Sequence, residues 1–124
     1  MTLHERVACP ALAALITAVS ATFELPSSDG QRAERVAGAL QPFLGRADLL
    51  APEQCEADPT RYRQHILHVD PDERFSIVAL VWLPGQTTPI HDHIAWCVFG
   101  VHEGEEYEIR YRLCQCDDGY QLLP

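Results

Sequence analysis

The apolar positions of this chain follow two periods, and the change falls near residue 61. Before it, Leu12, Leu15, Ile16, Val19 and Phe23 recur at the spacing of one helix face. This predicts a helix over 3–23, closed by the Pro26-Ser27-Ser28 turn. A second helix is predicted from about Asp29, which is placed to cap it. Val36, Ala39, Leu40, Phe43 and Leu44 form its apolar stripe, and Gly45 is its stop. Residues 46–59 carry Pro52, Pro59 and several capping residues, and read as turns and loop.

After residue 61 the period is two. "RYRQHILHV" alternates and is rich in strand formers. "RFSIVALVWL" is a nearly continuous apolar run, the pattern of a strand in the core of a sheet. "IHDHIAWCVFGVH" and "EYEIRYRLCQC" predict two more strands, and "YQLLP" begins another. "DPDE", "PGQTTP", "EGE" and "DDG" are the turns and loops between them. Helices first and antiparallel strands after predict an α+β domain, whose strands form a sandwich or barrel. Hairpin spacing fits a jelly-roll β-barrel, but only about five strands are present where a jelly roll has eight.

The length, 124 residues, fits one domain over 1–124, with 1–60 a helical leader and 61–124 the first half of a barrel. The net charge of -9 argues against nucleic acid or an anionic membrane as the main partner. "VACPALAALITAVSA" has the apolar, small-residue character of a signal peptide. Glu5 offsets Arg6 ahead of it, and its helical periodicity favours a packed amphipathic helix instead. No segment reaches the ~18 apolar residues of a membrane span. Five irregularly spaced cysteines make a poor disulfide framework, so free thiols in the cytoplasm are expected. Cys114-x-Cys116 is a candidate soft metal clip, although one intervening residue is short for a structural zinc site.

The chemistry concentrates in "HDH". On a strand, His91 and His93 point to one face and Asp92 to the other. Their Cα atoms then lie about 7 Å apart, and a metal roughly 2 Å from each nitrogen can bridge them. The same parity carries Cys97 and Phe99 to the metal face and His102 to the opposite one. Imidazole suits iron, zinc, copper and nickel alike, so spacing leaves the metal open. Two histidines that merely line a strand would show the same spacing.

Gly85, five residues, His91-Asp92-His93, three residues, Cys97, six residues and Gly104 reproduce the first motif of the cupin superfamily, with Cys97 in place of its usual glutamate. Cysteine or glycine there is typical of thiol dioxygenases. The stretch from Arg61 to Glu108, together with "LLAPEQCEADPTRY" and the helical leader, resembles the cysteine dioxygenase family, and within it the bacterial 3-mercaptopropionate dioxygenases.

The resemblance implies Fe(II) held by His91 and His93, with a third histidine from a second motif on a strand beyond residue 124. It places Cys97 where mammalian-type relatives form a thioether cross-link to a tyrosine. It places Gln64 where cysteine-specific relatives carry an arginine that grips the substrate carboxylate; glutamine is typical of the 3-mercaptopropionate enzymes. The implied reaction oxidises a small thiol, 3-mercaptopropionate or cysteine, to its sulfinic acid with O2. Val81, Leu83, Ile90, Trp96 and Phe99 are candidates to line a dry barrel interior. Three accounts of the missing half remain open: a fragment, a homodimer in which a second copy completes the site, and a half-barrel with a degraded site. His68, sharing strand parity with Gln64 and Ile66, is the best substitute ligand within the chain. A truncated, non-catalytic cupin acting as a metal-binding or interaction module is the alternative function.

Overall fold

The computed structural model describes residues 9–93 and 95–124. The first helix, α1, spans Pro10–Thr22, and the predicted residues ahead of it lie outside the described ones up to Cys9. Proline suits the first helical position, where the missing N–H has no partner to lose. Ala11, Leu15 and Val19 bury a stripe spaced by four, and Leu15 is 2% exposed. Helix α2 spans Asp29–Leu40. Ser28, not Asp29, caps it: its hydroxyl accepts from the Gln31 N–H, and the Gln31 side chain accepts from the Ser28 N–H. Asp29 instead places its negative charge in the first turn, at the positive end of the helix dipole. Pro42 cannot donate the next helical hydrogen bond, and the chain tightens into a 3-10 turn over Gln41–Phe43. Gly45, at φ 85°, then turns the chain away.

Strand β1 (Arg63–Val69) pairs antiparallel with β2 (Ser76–Val81). The register slips between Ile66 and His68, leaving Leu67 as the extra residue of a bulge. The hairpin is not the central part of a larger sheet, as the apolar run of β2 predicts. It is two-stranded and packs one face, so Leu80 stays 49% exposed. A second hairpin joins β3 (Arg112–Cys116) to β4 (Gly119–Leu123) through Asp117 and Asp118.

The core lies between α1, α2 and the first hairpin. Ala11, Leu15, Val19, Val36 and Leu49 are its centre, with Phe23, Leu40, Phe43, Phe75, Ile77 and Val98 packed around them. Phe23 is the junction. Its ring stacks on Phe75 at 5.3 Å and on Trp96 at 6.3 Å, while the guanidinium groups of Arg32 and Arg74 lie 4.8 Å and 5.4 Å from its centroid.

A buried ion pair fastens the first hairpin's turn. Asp70, 4% exposed, accepts from Arg74 Nε at 2.8 Å, from Arg74 Nη2 at 3.3 Å and from the Arg74 backbone N–H at 3.1 Å. Arg74 also reaches Glu24 at 3.3 Å, just past the end of α1. Hydrogen bonding from the guanidinium holds the Asp70 carboxyl below its ordinary range, and the same contact raises Arg74.

The architecture is therefore mixed helix and antiparallel sheet, as the order of periods predicts. Among the described residues of 90–102 the predicted strand is not formed. Nor do 107–111 join the strand that follows, and the described strands number four, in separate hairpins. The reason lies in what the even-numbered residues do. Trp96 stacks on Phe23, Val98 enters the core, Gly100 lies against Leu44, and His102 accepts the Gly45 N–H at 2.9 Å. A Cβ on Gly100 would sit 2.5 Å from Leu44 Cδ1, so any larger residue there requires the Leu44 side chain to shift. The segment lies across the helical layer and is held there by side chains, not by a neighbouring strand.

Candidate metal centre

The two motif glycines mark turns. Leu83-Pro84-Gly85-Gln86 has proline second and a glycine at φ 85° third, the requirements of a type II turn. The Gln86 N–H bonds to the Leu83 carbonyl at 3.0 Å. The Gln86 side chain accepts from the Leu83 N–H at 2.7 Å and donates to the Asp58 carbonyl at 2.6 Å, which ties the loop to the segment before β1. Gly104 also has φ 85°. Each glycine thus allows a backbone conformation that side chains resist, on either side of "HDH".

His91 and His93 are brought together, with ring centroids 5.0 Å apart and planes inclined by 76°. A bond of roughly 2 Å from each nitrogen, plus a ring radius of about 1 Å, places the centroids of two imidazoles on one cation roughly 4.5–5 Å apart. The observed separation fits that pairing. His91 Nδ1 lies 2.7 Å from the Pro89 carbonyl oxygen. A carbonyl only accepts, so Nδ1 carries the proton and Nε2 keeps its lone pair for a metal. Asp92 is spent locally, accepting the His93 N–H at 2.8 Å. Both histidines are exposed.

A third donor does not join them: among the described residues no group of three or more His, Cys, Asp or Glu side chains could hold a metal ion. His102 is engaged elsewhere, its Nδ1 accepting the Gly45 N–H. His68 does not share the side of Gln64. The bulge at Leu67 reverses the alternation, so Gln64 and Ile66 are exposed while the His68 ring packs 5.7 Å from that of Phe75. His68 is thus committed to the layer beneath the hairpin, and the expectation that it could substitute as a ligand beside Gln64 is corrected.

Cys97 is exposed, on the outward side of the 96–102 segment together with Phe99 and Val101. Gln64 sits on β1 opposite Leu80. Among the described residues no hydrogen bond links it to His91 or His93. Of the candidate interior residues, Leu83, Ile90 and Phe99 are 41%, 55% and 61% exposed, so they enclose no dry cavity here. Trp96 turns toward Phe23 instead. The Asp70–Arg74–Glu24 cluster was missed by periodicity; its signal is the D-P-D-E-R run, which pairs an acid with a base four residues on. Among the described residues the cysteines form no disulfide, and no helix is long and apolar enough to cross a membrane. No family model matches the chain.

Proposed function

We propose that this chain carries the first half of a cupin-type thiol dioxygenase site. His91 and His93 provide two of three histidine ligands for Fe(II), and the third comes from outside the described residues. The observation that carries this reading is the 5.0 Å approach of the two rings, with His91 Nε2 left free by the Pro89 contact.

Bound iron would supply the acidification of the thiol and the oxygen chemistry that convert RSH and O2 to RSO2H. The chain's own residues then have separate roles. Pro89 fixes the tautomer and tilt of His91 through its carbonyl. Cys97 stands at the position that marks the thiol-oxidising branch. Gln64 is the donor for a substrate carboxylate or a bound water, and in place of arginine it favours 3-mercaptopropionate over cysteine.

Oxygen uptake by the iron-loaded protein with each thiol tests this. Uptake with 3-mercaptopropionate, weaker with cysteine, is expected when a third ligand is available. No uptake with any small thiol would remove the activity from this chain. The exposure of both histidines favours a second reading, a non-catalytic module that binds metal weakly. Metal analysis after dialysis separates the two: close to one iron per chain supports the enzyme, and near-zero iron supports the module.

A further inference from the structure

We propose that the outer edge of β3 is a self-association surface, on which a second copy of this chain pairs its own β3 antiparallel about a two-fold axis. This does not rest on the metal-site reading. The hairpin β3–β4 is two-stranded, and among the described residues no other strand pairs with it. A lone two-stranded hairpin is marginal in water. One face of this one carries Leu113, Tyr120 and Leu122, which are 65%, 70% and 46% exposed. An unpaired edge with an apolar face is a template for another strand.

The charge pattern selects a second copy as the occupant. Arg110 and Arg112 lie at the open end of the hairpin, and Asp117 and Asp118 form its turn. Only an antiparallel partner brings unlike ends together, and a copy of the same hairpin supplies both ends at once. With the two β3 strands centred on Cys114, Arg110 of each copy comes opposite Asp118 of the partner subunit. Arg112 comes diagonally beside the same aspartate. Among the described residues Arg110 pairs with Glu108 at 3.5 Å, a solvent-accessible surface contact that is a weak competitor. Opposite charges across paired strands stabilise the pairing, and like charges weaken it. The product is a four-stranded sheet with the Leu113, Tyr120 and Leu122 faces of both copies continuous, and with the two Cys114 side chains directly opposed.

Sedimentation equilibrium of the full chain tests the pairing. A dimer that weakens with added salt is expected. Asp118→Arg should weaken it about tenfold, since two contacts per dimer turn repulsive. Asp118→Arg combined with Arg110→Asp should restore it, and that rescue also excludes simple misfolding as the cause. A protein that stays monomeric, or a dimer indifferent to both variants, overturns the proposal. Register is read separately by mild oxidation with diamide of a variant that keeps Cys114 alone among the cysteines. A covalent dimer is expected, and its absence where the non-covalent dimer is present overturns the Cys114-centred alignment.

Discussion

At the scale of single residues, His91 and Asp70 show how one chemical detail sets a group's role. The Pro89 carbonyl 2.7 Å from His91 Nδ1 decides which nitrogen is free to act. Even the outer partners of metal ligands are worth 10–100-fold in affinity, so His91→Ala should weaken iron binding by at least roughly that factor. Isothermal titration with Fe(II) under anaerobic conditions would measure it, and unchanged affinity would remove His91 from the site. Asp70 works in the other direction, as a structural charge. Its carboxyl titrates lower folded than unfolded because Arg74 donates to the carboxylate. The folded state therefore binds fewer protons, and the contribution is complete above the unfolded carboxylate value of about 3.9. It is lost as pH falls below that value, through the lower folded one. Melting curves from pH 6 to pH 2 should show wild type losing more stability than Asp70→Asn, with the variant already less stable at pH 6. Parallel curves would mean that the Asp70–Arg74 contact contributes nothing.

At the scale of elements, each unit is fixed by few interactions. The capping box of α2 is formed by Ser28 and Gln31. Ser28→Ala should cost about 1 kcal/mol, measurable as a shifted midpoint in urea with an unchanged slope. The helices were legible: Leu15, Val19 and Val36 of the expected stripes are buried, and Leu12, Phe23, Ala39, Leu40 and Phe43 pack against them, although Ala11 was not expected in the core. Two details differed: serine, not its neighbour aspartate, is the cap, and α2 ends at Leu40 and tightens into a 3-10 turn ahead of the expected stop at Gly45. The strands were legible where local pairing sufficed, as in β1–β2 with its D-P-D-E turn and in β3–β4 with its D-D-G turn. The segment over 90–102 was legible in its alternation and not in its partner. Alternation says that two sides differ, and it does not say whether a ladder or a helix lies on one of them. The bulge at Leu67 has no signature in composition, and it alone reversed the side assigned to His68. Of the site, the rings of His91 and His93 are adjacent, but not through the strand parity on which the spacing argument relied, because no strand is formed there among the described residues. Their surroundings were not legible, because those depend on contacts far along the chain.

At the scale of the whole molecule, surface is the dominant fact. The chain exposes 9851 Å², whereas a compact chain of 13.9 kDa exposes roughly 6,700 Å². The excess is concentrated outside the helical core: Tyr107, Ile109, Leu113 and Tyr120 are each at least 65% exposed. Cooperative stability should therefore be uneven. Amide exchange should be slowest in α1, around Leu15, and much faster in β3 and β4 of the isolated chain. Protection in β3 should rise with protein concentration, and none elsewhere in the hairpin should rise more. Uniform protection across both regions would show that the second hairpin is part of the same cooperative unit.

The alternation along 96–102 has a consequence for how this protein tolerates change. Trp96, Val98, Gly100 and His102 hold the segment to the helices, while Cys97, Phe99 and Val101 are free of that duty. Side chains that hold the segment thus alternate with side chains left on its outer side. A library of variants sorted for abundance in the cell would be depleted at the even positions. On the proposed thiol-dioxygenase reading, the same library sorted for thiol oxidation would also be depleted at Cys97. The second profile would contain the first, and their difference would single out the residues that the proposed reaction needs beyond those kept for shape.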